Sequence, residues 1–372
     1  GMGKKKMIIR LRIDGKCQVF KELPNTLKRS VVSRIKIMSD LDIAEKRKPQ
    51  DGKIQFKKYG GPDIELRVAT LPTVGQVEDV VLRILASSEP IPLAKIGMLE
   101  DNFDKFQKAV QLPYGIILVV GPTGSGKTTT LHSALGYINK PDRKIWTAED
   151  PVEITQEGLR QVQVLPKIGY TFAAAMRAFL RADPDVIMVG EMRDAETASM
   201  GVEASLTGHL VFSTLHTNSA PETITRLLDI GIDPFNFADA LIAVLAQRLV
   251  RTLCKSCKEE YQISPLDFEK MAAEYGKTDF AKKALTYDDN STLCKAKGCQ
   301  VCMETGYKGR MGIHELLLGS DGIKKLIQDK APVDEIRKLA CNEGMTSLKQ
   351  DGILKVFHGH TSIDQVRAVC IK

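Results

Sequence analysis

The chain has 372 residues, 43% of them hydrophobic, which exceeds what one domain usually encloses and predicts two. Its 53 Lys and Arg against 46 Asp and Glu leave a net charge of +7, spread along the chain apart from Lys4-Lys5-Lys6. That modest excess reads as a solvated surface more readily than as a patch for acidic lipid or nucleic acid. No apolar run approaches the roughly 20 residues that cross a bilayer.

Gly1-Met2-Gly3 reads as an expression remnant ahead of a chain that begins in mid-strand, so a longer N-terminus is expected. Residues 8–19 alternate apolar and polar and turn at Asp14-Gly15, a hairpin pattern. Helical spacing over 27–38, a turn at Gln50-Asp51-Gly52 and alternation over 64–68 complete a small α+β domain, placed at 1–87. Pro90 and Pro92 punctuate the stretch 87–93, and the linker is placed at 88–100. From 101 to 372, buried-type strands near 116–120, 144–147, 185–189 and 210–214 alternate with helical stretches, the pattern of a parallel sheet flanked by helices. A Cys- and Gly-punctuated insertion occupies 251–310. Helices fill 313–372, with a capping-box start expected at Ser362 and Gln365.

Gly121-Pro122-Thr123-Gly124-Ser125-Gly126-Lys127-Thr128, continued by Thr129, fits GxxxxGK[ST] and sits between an apolar strand and a helix. There the glycines let backbone N–H groups curl around phosphates, Lys127 reaches the β- and γ-phosphates of ATP, and Thr128 offers its hydroxyl to Mg²⁺. A partner carboxylate belongs at the far end of a neighbouring strand. Of the two acids bracketing the third strand, Glu191 lies at the carboxyl end and Asp185 roughly 20 Å away, so Glu191 is the expected general base and metal-shell residue. Asp183 and Asp185 read as turn and strand-start residues. Glu149, Asp150 and Glu153 follow the second strand and His216 the fourth, all on the same rim. There, acids polarise water or hold the metal shell and a histidine bonds the γ-phosphate. His209, after Thr207-Gly208, is a weaker candidate of the same kind.

Cys254 and Cys257 form one CxxC knuckle, Cys299 and Cys302 another. They read either as four thiolates around one tetrahedral Zn²⁺ or as four reduced, partly buried thiols, since the intervening stretch is longer than in common zinc ribbons. Of the other four of the eight cysteines, Cys294 is not counted as a ligand, and Cys17, Cys341 and Cys370 read as small core residues.

These residues resemble the secretion ATPases that power type II secretion, type IV pilus assembly and pilus retraction. GPTGSGKTTTL looks like their Walker A, TAEDPVE over 147–153 their Asp box, DPDVIMVGEMRD over 183–194 their Walker B, and TGHLVFSTLHTNSA over 207–220 their His box. The likeness extends to 9–15, 33–52 and the C-terminal helices. It implies a RecA-like P-loop NTPase core preceded by a small α+β (PAS-like) N-terminal domain, with a zinc-binding insertion and C-terminal helices. It implies also a cytoplasmic homohexameric motor, ATP held between the domains, and an inner-membrane platform protein and a cytoplasmic docking protein as partners. Arg34, Arg47 and Arg67 match stretches whose arginines approach the γ-phosphate on closure, Arg67 foremost. Zinc at the four cysteines is implied too, and with it the assembly or export branch, since retraction motors lack the module. Three places depart from the family: Lys53 stands where Arg is common, TVGQVEDVV over 73–81 replaces a shorter segment, and the chain starts late. The alternative is a RecA-like nucleic-acid translocase, disfavoured because aromatics are 6% and no basic stripe interleaves with them.

Overall fold

In the computed structural model, which describes every residue except 1, 4, 5, 76, 86–88, 284, 289, 290, 371 and 372, the chain divides into two units. The first holds residues 1–89 and 153–155, the second 90–152 and 156–372. Gly1 of the segment Gly1-Met2-Gly3, Lys4 and Lys5 of the basic run, Gln76 of the 73–81 segment and Ser87 and Ser88 of the linker stretch lie outside the described residues.

In the first unit β1 (Met2–Gly3), β2 (Lys6–Ile13) and β3 (Lys16–Pro24) form an antiparallel sheet. Between β2 and β3, Asp14 at φ 47° and Gly15 at φ 85° supply the left-handed pair that a two-residue hairpin turn demands. After α1 (Lys28–Met38), a second antiparallel sheet follows from β4 (Gln50–Gln55), β5 (Glu65–Thr73) and β6 (Val77–Leu85). One face of it buries Ile54, Val68 and Thr70. The opposite face carries Lys53, Arg67 and Arg83 at matched register on three neighbouring strands. Lys36 of α1 is buried, which is tolerable because its ammonium lies 2.5 Å from Glu78 and donates to the Glu45 carbonyl at 2.7 Å.

The second unit begins with α2 (Glu100–Ala109), β7 (Gly115–Val120), α3 (Lys127–Ile138), β8 (Ile145–Glu149) and β9 (Arg160–Gln163). It continues through α4 (Phe172–Phe179), β10 (Val186–Val189), α5 (Ala195–Leu206), β11 (Leu210–Leu215), α6 (Ala220–Asp229) and α7 (Pro234–Ala240) to β12 (Leu241–Leu253). The insertion contributes β13 (Glu259–Gln262), α8 (Pro265–Tyr275), α9 (Lys277–Ala281) and β14 (Thr292–Lys295). The chain then returns as β15 (Tyr307–Leu318), followed by α10 (Asp321–Gln328), α11 (Val333–Asn342), α12 (Leu348–Phe357) and α13 (Ile363–Val369).

Seven strands form one sheet in the order β15-β12-β7-β11-β10-β8-β9, parallel throughout except for the antiparallel pair β12 and β15. Every residue of β7 is buried. Ile116, Leu118 and Val120 enter the core under α4–α7, while Ile117 and Val119 enter the core under α2 and α3. A strand covered on both faces has no polar side, which is why its sequence reads as a continuous apolar run. The insertion has its own core, in which Phe268, Met271, Tyr275 and Leu293 pack against Ile353 and Val356 of α12 and Val366 of α13.

Three expectations are corrected. Residues 313–318, read as the start of the helical part, are instead the end of β15, paired with β12, and the helices begin with α10. Ser362 heads α13, but its hydroxyl is hydrogen-bonded to Tyr307 Oη at 2.8 Å and the Gln365 side chain accepts from Arg251 Nε. Tertiary partners have outcompeted the local cap; the capping box lies instead at Ser347 and Gln350 of α12. Cys17 and Cys341 are exposed and are not core residues, whereas Cys370 is half-buried and packs against two of the apolar clusters. The β3 strand buries no residue at all, and α11 turns Ile336 and Ala340 inward, carrying Cys341 off the apolar stripe.

Candidate nucleotide site and thiol cluster

Because β7, β8, β10 and β11 are mutually parallel, the residues after Val120, Glu149, Val189 and Leu215 meet on one rim of the sheet. The loop 121–128 leaves β7 there. Gly121, Gly124 and Gly126 take φ of 149°, 79° and 88°, and Gly126 heads α3 in the left-handed region without a side-chain cap. The first-turn N–H groups are thereby left for an anion. A Cβ on Gly121 would run into the Gln247 carbonyl and Ser125 hydroxyl, and one on Gly126 into the Gln247 amide. Pro122, Thr128 and Thr129 are half-buried, and Thr123 and Gly124 exposed at the crest. Ser125 Oγ is buried without a hydrogen-bond partner among the described residues, the kind of orphan a ligand satisfies.

Lys127 Nζ donates to the carbonyls of Gly121 (2.7 Å) and Pro122 (3.1 Å) and lies 3.5 Å from His216 Nδ1. Burial lowers its pKa, partly offset by the Glu191 charge. The other nitrogen of His216, Nε2, is 3.2 Å from Glu191 Oε1. One neutral tautomer serves both contacts: Nε2–H donates to the carboxylate and the Nδ1 lone pair faces the ammonium. Arg193 Nε donates to Glu191 Oε2 at 2.7 Å. The fold thus brings Lys127, His216 and Glu191, separated widely in sequence, into one contiguous chain of contacts.

Glu149 is treated differently. It is buried, with Oε1 accepting from Thr147 Oγ1 (2.7 Å) and Gln161 Nε2 (3.0 Å), and Oε2 3.0 Å from His132 Nε2. Gln156 Nε2 donates to His132 Nδ1 at 2.7 Å, which leaves Nε2 as the protonated nitrogen. Burial pushes the Glu149 carboxyl up, but the bonds from His132, Gln161 and Thr147 outweigh it and hold the pKa low. Asp150 is exposed beside it, and Glu153 falls in the first unit, 3.7 Å from Arg83. Asp183 takes a left-handed φ of 50°, and Asp185, at the start of β10, accepts the Lys144 N–H at 2.6 Å. His209 sits at the opposite end of β11 from His216, with Nδ1 2.8 Å from the Ala204 carbonyl, and does not reach the rim.

In the first unit Arg34 lies over the Tyr59 ring at 5.7 Å, and Arg47, largely exposed, pairs with Glu45 at 2.8 Å. Arg67 is exposed between Lys53 and Arg83; Glu65, 2.8 Å from Lys53, offsets part of that like-charge crowding.

Gln247, on β12, belongs to no motif. Its Nε2 donates to the Ser125 carbonyl at 2.7 Å and its Oε1 accepts from Thr130 at 2.6 Å, bracing the phosphate loop and the first turn of α3. Its one signal in the sequence is a lone amide inside the apolar run of β12, a group that must find partners when buried.

The Sγ atoms of Cys254, Cys257, Cys299 and Cys302 all lie within 4.8 Å of one another, with pairs at 4.0, 3.8 and 3.7 Å. Four sulfurs about 2.3 Å from a common centre stand roughly 3.8 Å apart, so the set fits tetrahedral zinc. Backbone N–H groups of Cys299 and Gly306 point at Cys302 Sγ, each 3.2 Å away. Burial pushes that thiol up, but these donors and the neighbouring thiols bring it down to about 6, the thiolate form a metal requires.

A glycine-rich phosphate loop on a parallel sheet, with a carboxylate and a histidine converging on its lysine, defines a P-loop nucleoside-triphosphate site. The sequence profile of the family described as "Type II/IV secretion system protein" matches residues 2–368, and the chain belongs to that family. It is 45% identical over 365 residues to the type IV pilus assembly ATPase PilB of Thermus thermophilus, covering 98% of this chain and 40% of that protein. To the type II secretion system ATPase E of Vibrio cholerae it is 45% identical over 366 residues, covering 98% and 70% respectively. In three dimensions it shares its fold with the Legionella pneumophila ATPase DotB (TM-score 0.68, 22% identity, covering 98% of this chain and 91% of that one). The same holds for the pilus retraction motor PilT with bound ADP (TM-score 0.64, 24% identity, 100% and 94% covered).

Proposed function

We propose that the chain is the ATP-hydrolysing motor part of a type II secretion or type IV pilus assembly machine. The observation that carries the reading is the contact chain Lys127–His216–Glu191 at the mouth of the phosphate loop. Lys127 would exchange its two carbonyl partners for phosphate oxygens, a trade of neutral acceptors for charged ones that strengthens each bond. Thr128 and Glu191 would hold Mg²⁺, which when bound neutralises charge on the β- and γ-phosphates. Glu191 orients and deprotonates the attacking water, and His216, bonded to it, registers the loss of the γ-phosphate. Glu149, with both oxygens engaged, orders the strand end rather than touching water.

Homohexamer formation, closure of the first unit on nucleotide, an inner-membrane platform protein and a cytoplasmic docking protein belong to the same proposal, supported by family membership. So does a place at the cytoplasmic face of the inner membrane; among the described residues no helix is long and apolar enough to cross a membrane. The four-thiol cluster supports assembly or export over retraction. No observation favours the nucleic-acid translocase.

The test is Mg²⁺-dependent ATP turnover by wild type and Glu191→Gln. Hydrolysis should fall at least ~100-fold in the variant with ATP still bound. Unchanged hydrolysis would remove Glu191 from the mechanism.

A further inference from the structure

We infer that Glu315 is a positioning residue for hydrolysis, setting the loop that carries His216; the inference rests on the nucleotide-site reading above and extends it to a residue outside every motif. The loop runs from the end of β11 to the start of α6, and each residue after His216 is tied. Thr217 Oγ1 is 2.7 Å from Thr223 Oγ1. Asn218 accepts from Arg248 of β12 at 3.0 Å and donates its N–H to Glu222 at 3.0 Å. Ser219 Oγ caps α6 and accepts from Arg337 of α11 at 3.2 Å. The Ala220 N–H donates to Glu315 Oε1 at 2.8 Å, across 95 residues of chain.

Glu315 is the most demanding of these ties. It is 2% exposed, and burying a carboxylate costs several kcal/mol unless donors and positive charge surround it. Here the backbone N–H groups of Ala220 and Leu348, the positive end of α6 and the Arg337 guanidinium partly supply them, while burial still pushes the carboxyl up. Ser219 already caps α6, so helix capping alone does not call for this group. What Glu315 adds is a bond to β15, the strand paired with β12, whose Gln247 holds the phosphate loop. The lysine loop and the histidine loop are therefore indexed to the same two-stranded ribbon. That common reference sets the 3.5 Å approach of His216 to Lys127.

The test compares ATP turnover and affinity for a fluorescent ADP analogue in the whole chain for wild type, Glu315→Gln, Glu315→Leu and Arg337→Met, with thermal melts alongside. A loop displaced by about 1 Å should lower kcat of Glu315→Leu on the order of 100-fold while nucleotide affinity changes less than ~3-fold. Glu315→Gln, whose carbonyl oxygen still accepts the Ala220 N–H, should recover most of the turnover, and Arg337→Met should fall between. A folded Glu315→Leu with wild-type kcat overturns the inference, as does a glutamine variant no better than leucine. If Glu315→Leu does not fold, wild-type kcat in Arg337→Met overturns it. A wild-type chain that hydrolyses no ATP overturns the site reading itself and this inference with it.

Discussion

His314, on β15, is wholly buried and neither ring nitrogen finds a partner among the described residues. Burial, and secondarily the Lys355 ammonium, hold its pKa well below the ordinary histidine range. An unfolded histidine takes up a proton below about pH 6.5, whereas the folded one stays neutral, so the unfolded state binds more protons. Stability should accordingly be lost as pH falls from about 6.5 toward the folded pKa, by up to ~1.4 kcal/mol per pH unit from this residue. Asp351, whose carboxyl burial pushes up, contributes with the opposite sign, so the quantity to read is the difference from His314→Leu. Urea midpoints at pH 7 and pH 5 should diverge more for wild type than for the variant. At this scale the sequence exposes residues that sit in motifs. The glycines of 121–126 announce a phosphate loop, and strand polarity separates Glu191 from Asp185. His314, Glu315 and Gln247 are buried polar residues within largely apolar strands, and the partners of Glu315 and Gln247 lie 95 and up to 122 residues away, beyond any local pattern.

Among elements, the ribbon of β12 and β15 joins two parts of the second unit. Its inner end is in the sheet; just past Leu253 comes Cys254, and Cys302 precedes Tyr307, so the thiol cluster closes its outer end. Removing the metal with a strong chelator, or replacing Cys302 by Ser, should abolish binding of about one zinc per chain and lower the melting temperature. The loss should fall first on the insertion and the α12–α13 surface it packs against, read as hydrogen exchange of 258–295 and 348–369 before the sheet. Unchanged protection there would make the thiols bystanders. The strand and helix alternation of the core was legible because each buried strand is a short apolar run. The cap of α13 was not, since Tyr307 and Arg251 arrive from distant strands.

At the level of the whole molecule, the chain divides into two units, each with buried side chains of its own. On the exposed face of its sheet Arg67 stands between Lys53, which pairs with Glu65, and Arg83, 3.7 Å from Glu153, and a further anion facing Arg67 would ease the remaining like-charge crowding. If that anion is the γ-phosphate in the closed state, Arg67→Ala should lose at least ~100-fold in kcat while ATP binding persists, whereas Arg47→Ala, held by Glu45, should change far less. Rapid-quench turnover on assembled protein checks both. The two-part organisation could be read from length and the proline-marked junction; the return of 153–155 to the first unit could not, because three residues carry no periodicity.

The shared core of the insertion and the C-terminal helices also dictates an order of events during synthesis. Phe268 and Met271 leave the ribosome roughly 85 residues before Ile353 and Val356, which cover them, an interval on the order of ten seconds at ordinary elongation rates. For that time the nascent insertion can close Phe268 on Phe280 and Tyr287, but the side that Ile353 and Val356 cover stays open. Slowing translation beyond α8 should therefore raise aggregation of this protein, and supplying zinc early, to clamp the ribbon's outer end, should not by itself prevent it.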